Sequence, residues 1–311
     1  MILTIVVPLD GSRTAELALP WARSLSRRTG AIVRLARVRR IPPAPMSGEG
    51  MATYDPDPYE YITKEENEYM ATVAKTWLDP ESETTLTGEL LEPTDSTAGT
   101  LIRYAEAVTA DLTIMTSRGH GPVSRFLFGS VADEYLRRAA GPTLLIQGDA
   151  GTVPDPSVEP RVGKVIVPLD GSVLSEQAVT PALALFDWYG CEITLLLVLD
   201  AVKDIHQLME RVGGSTSSHW TPQTASPIAG EYLQRVADRL RRKTSNVQTK
   251  VVEHGTAANV ILAEAADPTT AISLATHGHG GLTRMIFGSV ADKVVRGATG
   301  PVLVVRPKGD T

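Results

Sequence analysis

The chain has 311 residues, of which 42% are hydrophobic and 21% charged, and its formal net charge is −6. That composition belongs to a globular protein, and the length fits about two domains, each large enough to bury its own core. The acidic balance argues against general nucleic-acid binding, which draws on phosphate neutralisation, and no apolar run approaches the roughly 20 residues of a membrane helix.

In chain order, a strand is predicted over Ile2–Val7, followed by a helix over Thr14–Ser26 and a strand over Ala31–Val38. The stretch Ile41–Tyr61, rich in Pro, Gly and Met with two Asp-Pro pairs, predicts a long, mobile loop. A helix over Lys64–Leu78, a weak strand over Thr84–Leu90, a helix over Ala98–Ala107 and a strand over Leu112–Thr116 come next. A glycine-rich loop leads into a helix over Val131–Arg138 and a final strand over Thr143–Ile146. Gly148 to Gly163, with Pro154, Pro156 and Pro160, reads as an extended linker.

The order then repeats, with strands at Lys164–Pro168, Glu192–Leu199, Gln248–Val252, Ala271–Ala275 and Val302–Val305. Helices fall between them at Ser175–Tyr189, Ile228–Thr244, Ala258–Ala266 and Val290–Gly297. Apolar strands alternating with amphipathic helices predict a parallel sheet covered on both faces, because a parallel crossover needs a helix to return the chain. The division is therefore 1–147, linker 148–163 and 164–311, two tandem α/β domains of Rossmann-like, doubly wound, five-stranded type. The only cysteine, Cys191, reads as a small buried strand residue. Met1-Ile-Leu-Thr-Ile-Val-Val-Pro8 shows no basic region or cleavage site for export, so the expected location is cytoplasmic. The clusters Arg37, Arg39, Arg40 and Arg241, Arg242, Lys243 read as solvated faces.

The repeat is strongest where chemistry is expected. Val6-Val-Pro-Leu-Asp-Gly-Ser12 returns as Ile166-Val-Pro-Leu-Asp-Gly-Ser172, and Phe128-Gly-Ser-Val131 returns as Phe287-Gly-Ser-Val290. Gly129-Ser130 and Gly288-Ser289 stand where a loop enters a helix, whose first amides lack internal partners and favour an anion. Glycine admits close approach of a phosphate, and serine either caps the helix or donates to a phosphate oxygen. Asp10 and Asp170, at the carboxyl ends of the first strands, either accept from a base or ribose or serve as helix N-caps. Arg125 and Arg284 lie at matching places ahead of these turns, as phosphate contacts or as plain surface arginines. His277 and His279 have no cysteine or carboxylate cluster beside them, so loop packing or phosphate contact is expected rather than a metal.

The Asp-Gly-Ser turns, the Gly-His-Gly loops whose first glycine is separated from Gly-Ser-Val by nine residues, and the closing Gly-Pro-Val-Leu-Val-Val resemble the universal stress protein family in its tandem form. That resemblance implies sheets of order 3-2-1-4-5 and ATP, with or without Mg²⁺, as ligand. It places Asp10 and Val38 at the adenosine and Gly119, Gly129, Ser130 and Val131 at the phosphates. In the second half the matching residues are Asp170, Val198, Gly278, Gly288, Ser289 and Val290. Thr116 and Ala275 depart from the family's first loop glycine, and would be strained if that glycine has positive φ. With that departure and a proline, Pro122, in the first loop, the second site is expected to bind more tightly.

The function implied is non-catalytic: a stress or regulatory protein acting through nucleotide-dependent conformation or an unidentified protein partner. No Walker lysine follows a glycine loop, and no acid–base pair recurs with the motif. The alternatives are a slow ATP-hydrolysing enzyme and a degenerate scaffold that binds no nucleotide. The strands Thr143–Ile146 and Val302–Val305, each last in its half, should pair across a pseudo-twofold axis as an intramolecular pseudo-dimer, with a homodimer of whole chains as a further assembly.

Overall fold

The computed structural model describes residues 2–40, 58–77, 86–117, 128–147, 153–199, 208–210, 221–242, 244, 246–276 and 287–307. The first half runs β1 (Thr4–Pro8), α1 (Arg13–Glu16), α2 (Leu19–Thr29), β2 (Ile32–Val38), α3 (Pro58–Trp77), β3 (Leu86–Leu91), α4 (Thr97–Ala107), β4 (Leu112–Thr116), α5 (Ser130–Arg138) and β5 (Thr143–Ile146). The second runs β6 (Lys164–Pro168), α6 (Val173–Glu176), α7 (Val179–Phe186), a 3-10 turn (Asp187–Tyr189), β7 (Glu192–Val198), α8 (Pro222–Leu240), β8 (Val247–Val252), α9 (Ala257–Glu264), β9 (Thr270–Ala275), α10 (Ser289–Gly297) and β10 (Val302–Val305).

All ten strands form one sheet of order β3-β2-β1-β4-β5-β10-β9-β6-β7-β8. Within each half every pairing is parallel, and each half has the order 3-2-1-4-5. The halves meet where β5 and β10 pair antiparallel, Val302 opposite Leu145 and Val304 opposite Thr143. Both strands are wholly buried, so each covers an edge the other would leave open. This is the expected intramolecular pairing.

Alternation along the strands divides the core between the two faces of the sheet. Ile5, Val7, Val33 and Leu35 pack with α2 and α3, and Val165, Val167, Leu195 and Leu197 pack with α7 and α8. Val6, Ala36 and Met115 face α4 and α5, as Ile166, Leu196 and Leu274 face α9 and α10. Cys191 is buried ahead of β7, donates its thiol to the Phe186 carbonyl at 3.3 Å, and burial pushes that thiol up to about 11.

Several boundaries differ from the sequence reading. The helices expected at Thr14–Ser26 and Ser175–Tyr189 each begin as a single turn, α1 or α6, and restart as α2 or α7. Pro20 lies in the first turn of α2, where its missing amide costs nothing, whereas inside a continuous helix it would clash with the preceding turn. α3 starts at Pro58, so Pro58–Tyr61 is helical rather than loop. α8 starts at Pro222, capped by Thr221 in a reciprocal box with Thr224, and carries Pro227 inside. Residues 41–57 lie outside the described ones.

Candidate functional site

In each half the strand order reverses between its first and fourth strands, β1 with β4 and β6 with β9, which leaves a crevice at their carboxyl ends. Two turns flank it. After β1, the Ser12 amide and hydroxyl both donate to Asp10 Oδ1, at 2.9 and 2.6 Å, and Ser12 Oγ in turn accepts the Ala15 amide at 3.0 Å. After β6 the same three bonds join Ser172, Asp170 and Ser175 at 3.0, 2.6 and 3.0 Å. The N-caps of α1 and α6 are thus Ser12 and Ser172. The aspartates do not cap; each locks the serine that does. The glycines between them have φ of +87° and +80°, the left-handed region that a side chain disfavours.

The second turn opens α5 and α10. Gly129 and Gly288 are the N-caps, with φ of −64° and −59° and ψ of 135° and 145°, and being glycines neither supplies a side-chain cap to its helix start. Ser130 and Ser289 are the first helical residues and are exposed, so their hydroxyls are not used as caps. The Gly129 amide donates to the Ser117 carbonyl at 2.8 Å, and the Gly288 amide to the Thr276 carbonyl at 2.8 Å. Each bond clips the start of the helix to the end of the fourth or ninth strand, so the ends of the intervening loop meet at the crevice. At Gly288 the approach is close: a Cβ there would lie 3.1 Å from the Thr276 carbonyl.

Val38 and Val198 end β2 and β7, partly buried against the α4/α5 and α9/α10 side of the sheet. The Leu9 amide bonds to the Ala36 carbonyl, and Leu169 to Leu196, both at 2.8 Å, which brings these strand ends beside the Asp10 and Asp170 turns. Val131 is half-buried and Val290 is exposed, each in the first turn of its helix. Gly119, Gly278, Arg125, Arg284, His277 and His279 lie outside the described residues, and no group of three or more metal-ligating side chains occurs among the described ones.

Two expectations need correction. Thr116 and Ala275 are the last residues of β4 and β9, and Thr109 is the only non-glycine residue with positive φ among the described ones. No backbone strain therefore attaches to either position. Within the Arg37, Arg39, Arg40 cluster Arg40 is exposed as expected, but Arg37 does not belong to a solvated face, being only 4% exposed. Its Nε lies 3.4 Å from Glu66 Oε1, and its guanidinium stacks on the Tyr69 ring at 4.9 Å. On the other side it abuts Gly11, where a Cβ would sit 2.7 Å from Nη1. The turn holding Asp10 thus rests on a buried cation that sequence reading missed; an arginine at a core-facing position of an apolar strand was the available signal. Tyr69 donates to Glu16 at 3.0 Å, and burial and that carboxylate hold its hydroxyl well above the usual tyrosine range.

The universal stress protein family model matches the chain twice, over residues 1–147 and 162–306. The chain belongs to the universal stress protein family. A family member from Mycolicibacterium smegmatis is 31% identical over 214 residues, 69% of this chain and 67% of that protein. One from Mycobacterium tuberculosis H37Rv is 28% identical over 327 aligned positions, 97% of this chain and 96% of that protein. Among solved structures, a universal stress protein from Archaeoglobus fulgidus superposes with a TM-score of 0.61 at 18% identity, covering 97% of this chain and 98% of that one. That last likeness shows the fold, a tandem Rossmann-like architecture. No described helix is long and apolar enough to cross a membrane.

Proposed function

We propose that this family member is a regulatory ATP-binding protein with one site per half, at the carboxyl edge between β1 and β4 and between β6 and β9. The observation that carries the reading is the pair of amide clips, Gly129 to Ser117 and Gly288 to Thr276, both at 2.8 Å. Each presents a helix start without a side-chain cap to the crevice, and a polyphosphate suits such free amides and the positive end of the dipole. Asp10 with Val38, and Asp170 with Val198, border the same crevice and would meet the adenosine. Gly119, Gly129, Ser130 and Val131 would surround the phosphates of one ATP, and Gly278, Gly288, Ser289 and Val290 those of the other, with or without Mg²⁺.

The relief of strain at Thr116 and Ala275 removes the main ground for a scaffold that binds nothing. Residues 1–147 and 164–311 act as the two nucleotide-binding units and 148–163 as their connection. Nucleotide occupancy then governs conformation or the binding of a protein partner in the cytoplasm, without a catalytic step. Mass spectrometry of small molecules released from the denatured, purified protein should find adenine nucleotide. Calorimetry should show ATP binding that is lost in a folded Gly129→Leu/Gly288→Leu variant. No released nucleotide together with no heat of ATP binding would refute the reading.

A further inference from the structure

Two arginines cross the seam between the halves. Arg296, in the last turn of α10, donates to Asp133 Oδ1 of α5 at 2.9 Å and places its guanidinium 5.3 Å from the centre of the Phe128 ring. Arg137, in the last turn of α5, lies 3.7 Å from Asp292 Oδ1 of α10 and 5.9 Å from the Phe287 ring centre. Within its own helix Arg137 also holds Asp133 at 2.8 Å, and Arg296 holds Asp292 at 3.0 Å. Phe128 and Phe287 immediately precede Gly129 and Gly288.

Within its own half each of these turns is held by its backbone clip and has no side-chain cap. α1, α4 and α6 begin on serines whose hydroxyls accept a helix amide, whereas α5 and α10 begin on glycines with no side-chain cap. Either arginine can be lost and both carboxylates keep the other. Among the described residues, the cation on each phenylalanine comes from the opposite half, an attraction that fixes the ring and the backbone that follows it.

We propose that each glycine–serine turn is positioned by an arginine of the opposite half, Arg296 for Gly129-Ser130 and Arg137 for Gly288-Ser289. The inference rests on the nucleotide reading above for its ligand, and it makes the two sites structurally shared. It predicts a crossed phenotype: a substitution in the second half weakens the site in the first.

The test uses full-length single-site proteins, Gly288→Leu to leave the first site and Gly129→Leu to leave the second. In the first, Arg296→Met should weaken ATP binding about two- to fivefold, the size of one exposed cation–aromatic contact. In the second, the same change should have a clearly smaller effect, and Arg137→Met should show the reverse pattern. Arg296→Lys should restore only part of the loss, because an ammonium lacks the planar face that stacks on the ring. Effects confined to an arginine's own half, or no effect on either site, would overturn the proposal while leaving the nucleotide reading intact. If neither parent binds ATP, that reading falls, and amide exchange in the nucleotide-free protein decides the positioning role. Arg296→Met should then speed exchange at Gly129 more than at Gly288, and equal or reversed changes would overturn it.

Discussion

Beneath the Asp-Gly-Ser turn of the first half lies the buried Arg37–Glu66 pair, and the matching residues of the second half are Leu197 and Ala229, both buried and apolar. The strand registers make the correspondence firm, since Val7 pairs with Leu35 as Val167 pairs with Leu195. The tyrosine–glutamate bond is common to both, Tyr69 to Glu16 and Tyr232 to Glu176, each at 3.0 Å. The same turn is therefore supported by charge in one half and by packing in the other. A buried ion pair recovers little more than its desolvation cost, so the two floors can be of similar stability. They differ in what happens when one member is removed.

The largest effect is expected when the halves are separated. Each would expose a short, wholly buried terminal strand, β5 or β10, which in the intact chain cover one another. Residues 1–147 and 162–311 expressed alone should dimerise or aggregate, and light scattering that showed both as soluble monomers would count against the seam as the organising contact. A difference between them would show which half tolerates its bare edge.

Next in size is the buried pair itself. Arg37→Leu alone leaves Glu66, which is 0% exposed and whose Oε2 has no hydrogen-bond partner among the described residues, with Arg40, whose amide lies at 3.4 Å and Nε at 3.5 Å from Oε1. Loss of about 3 kcal/mol in urea unfolding is expected, the lower end for breaking a buried pair. Arg37→Leu/Glu66→Ala copies the second half and should recover most of it. A double variant as unstable as the single would mean that the two floors are not interchangeable.

The repeated strand-turn motifs made the sheet, its order and the place of the site legible, because periodicity and glycine spacing are local properties. What escaped was set by the third dimension. Arg37 reads as a surface residue beside Arg39 and Arg40, and only the packing of α3 over β2 shows the carboxylate that lets it be buried. Likewise nothing local shows that Arg296 reaches Phe128, since the contact exists only once β5 and β10 pair. The glycine expected to be needed at Thr116 and Ala275 was inferred from a motif, whereas both positions are strand ends in ordinary backbone.

That correction narrows the expected difference in affinity between the sites. Of the original reasons for a tighter second site, the missing amide of Pro122 remains, where the second half has Gly281. ATP titration of the single-site proteins should give a second site tighter by about tenfold or less, the worth of one amide–phosphate bond. Pro122→Gly should close most of that gap. Equal affinities would show that the proline costs nothing, and a tighter first site would assign the difference to the floor, through the charge of Arg37, rather than to the loop.

The smallest effect concerns the two helix starts that meet at the seam. Asp133 receives both Arg137 and Arg296, with contacts of 2.8 and 2.9 Å, whereas Asp292 has Arg296 at 3.0 Å and Arg137 only at 3.7 Å. The hydrogen bond from Arg137, with the charges of both arginines, holds the Asp133 carboxyl below its usual range. A carboxyl depressed in the folded state adds stability that is fully present above its unfolded value, about pH 4, and is lost as pH falls through the folded value. Both partners are about one-third exposed, so solvent screening keeps the contribution below roughly 1 kcal/mol. Urea midpoints at pH 7 should therefore fall slightly more for Asp133→Asn than for Asp292→Asn, and the gap should shrink toward pH 3, where the unfolded chain takes up the proton that the folded carboxylate resists. A gap that persists unchanged at pH 3 would show that Asp133 acts through packing, and the seam's asymmetry would then not be electrostatic.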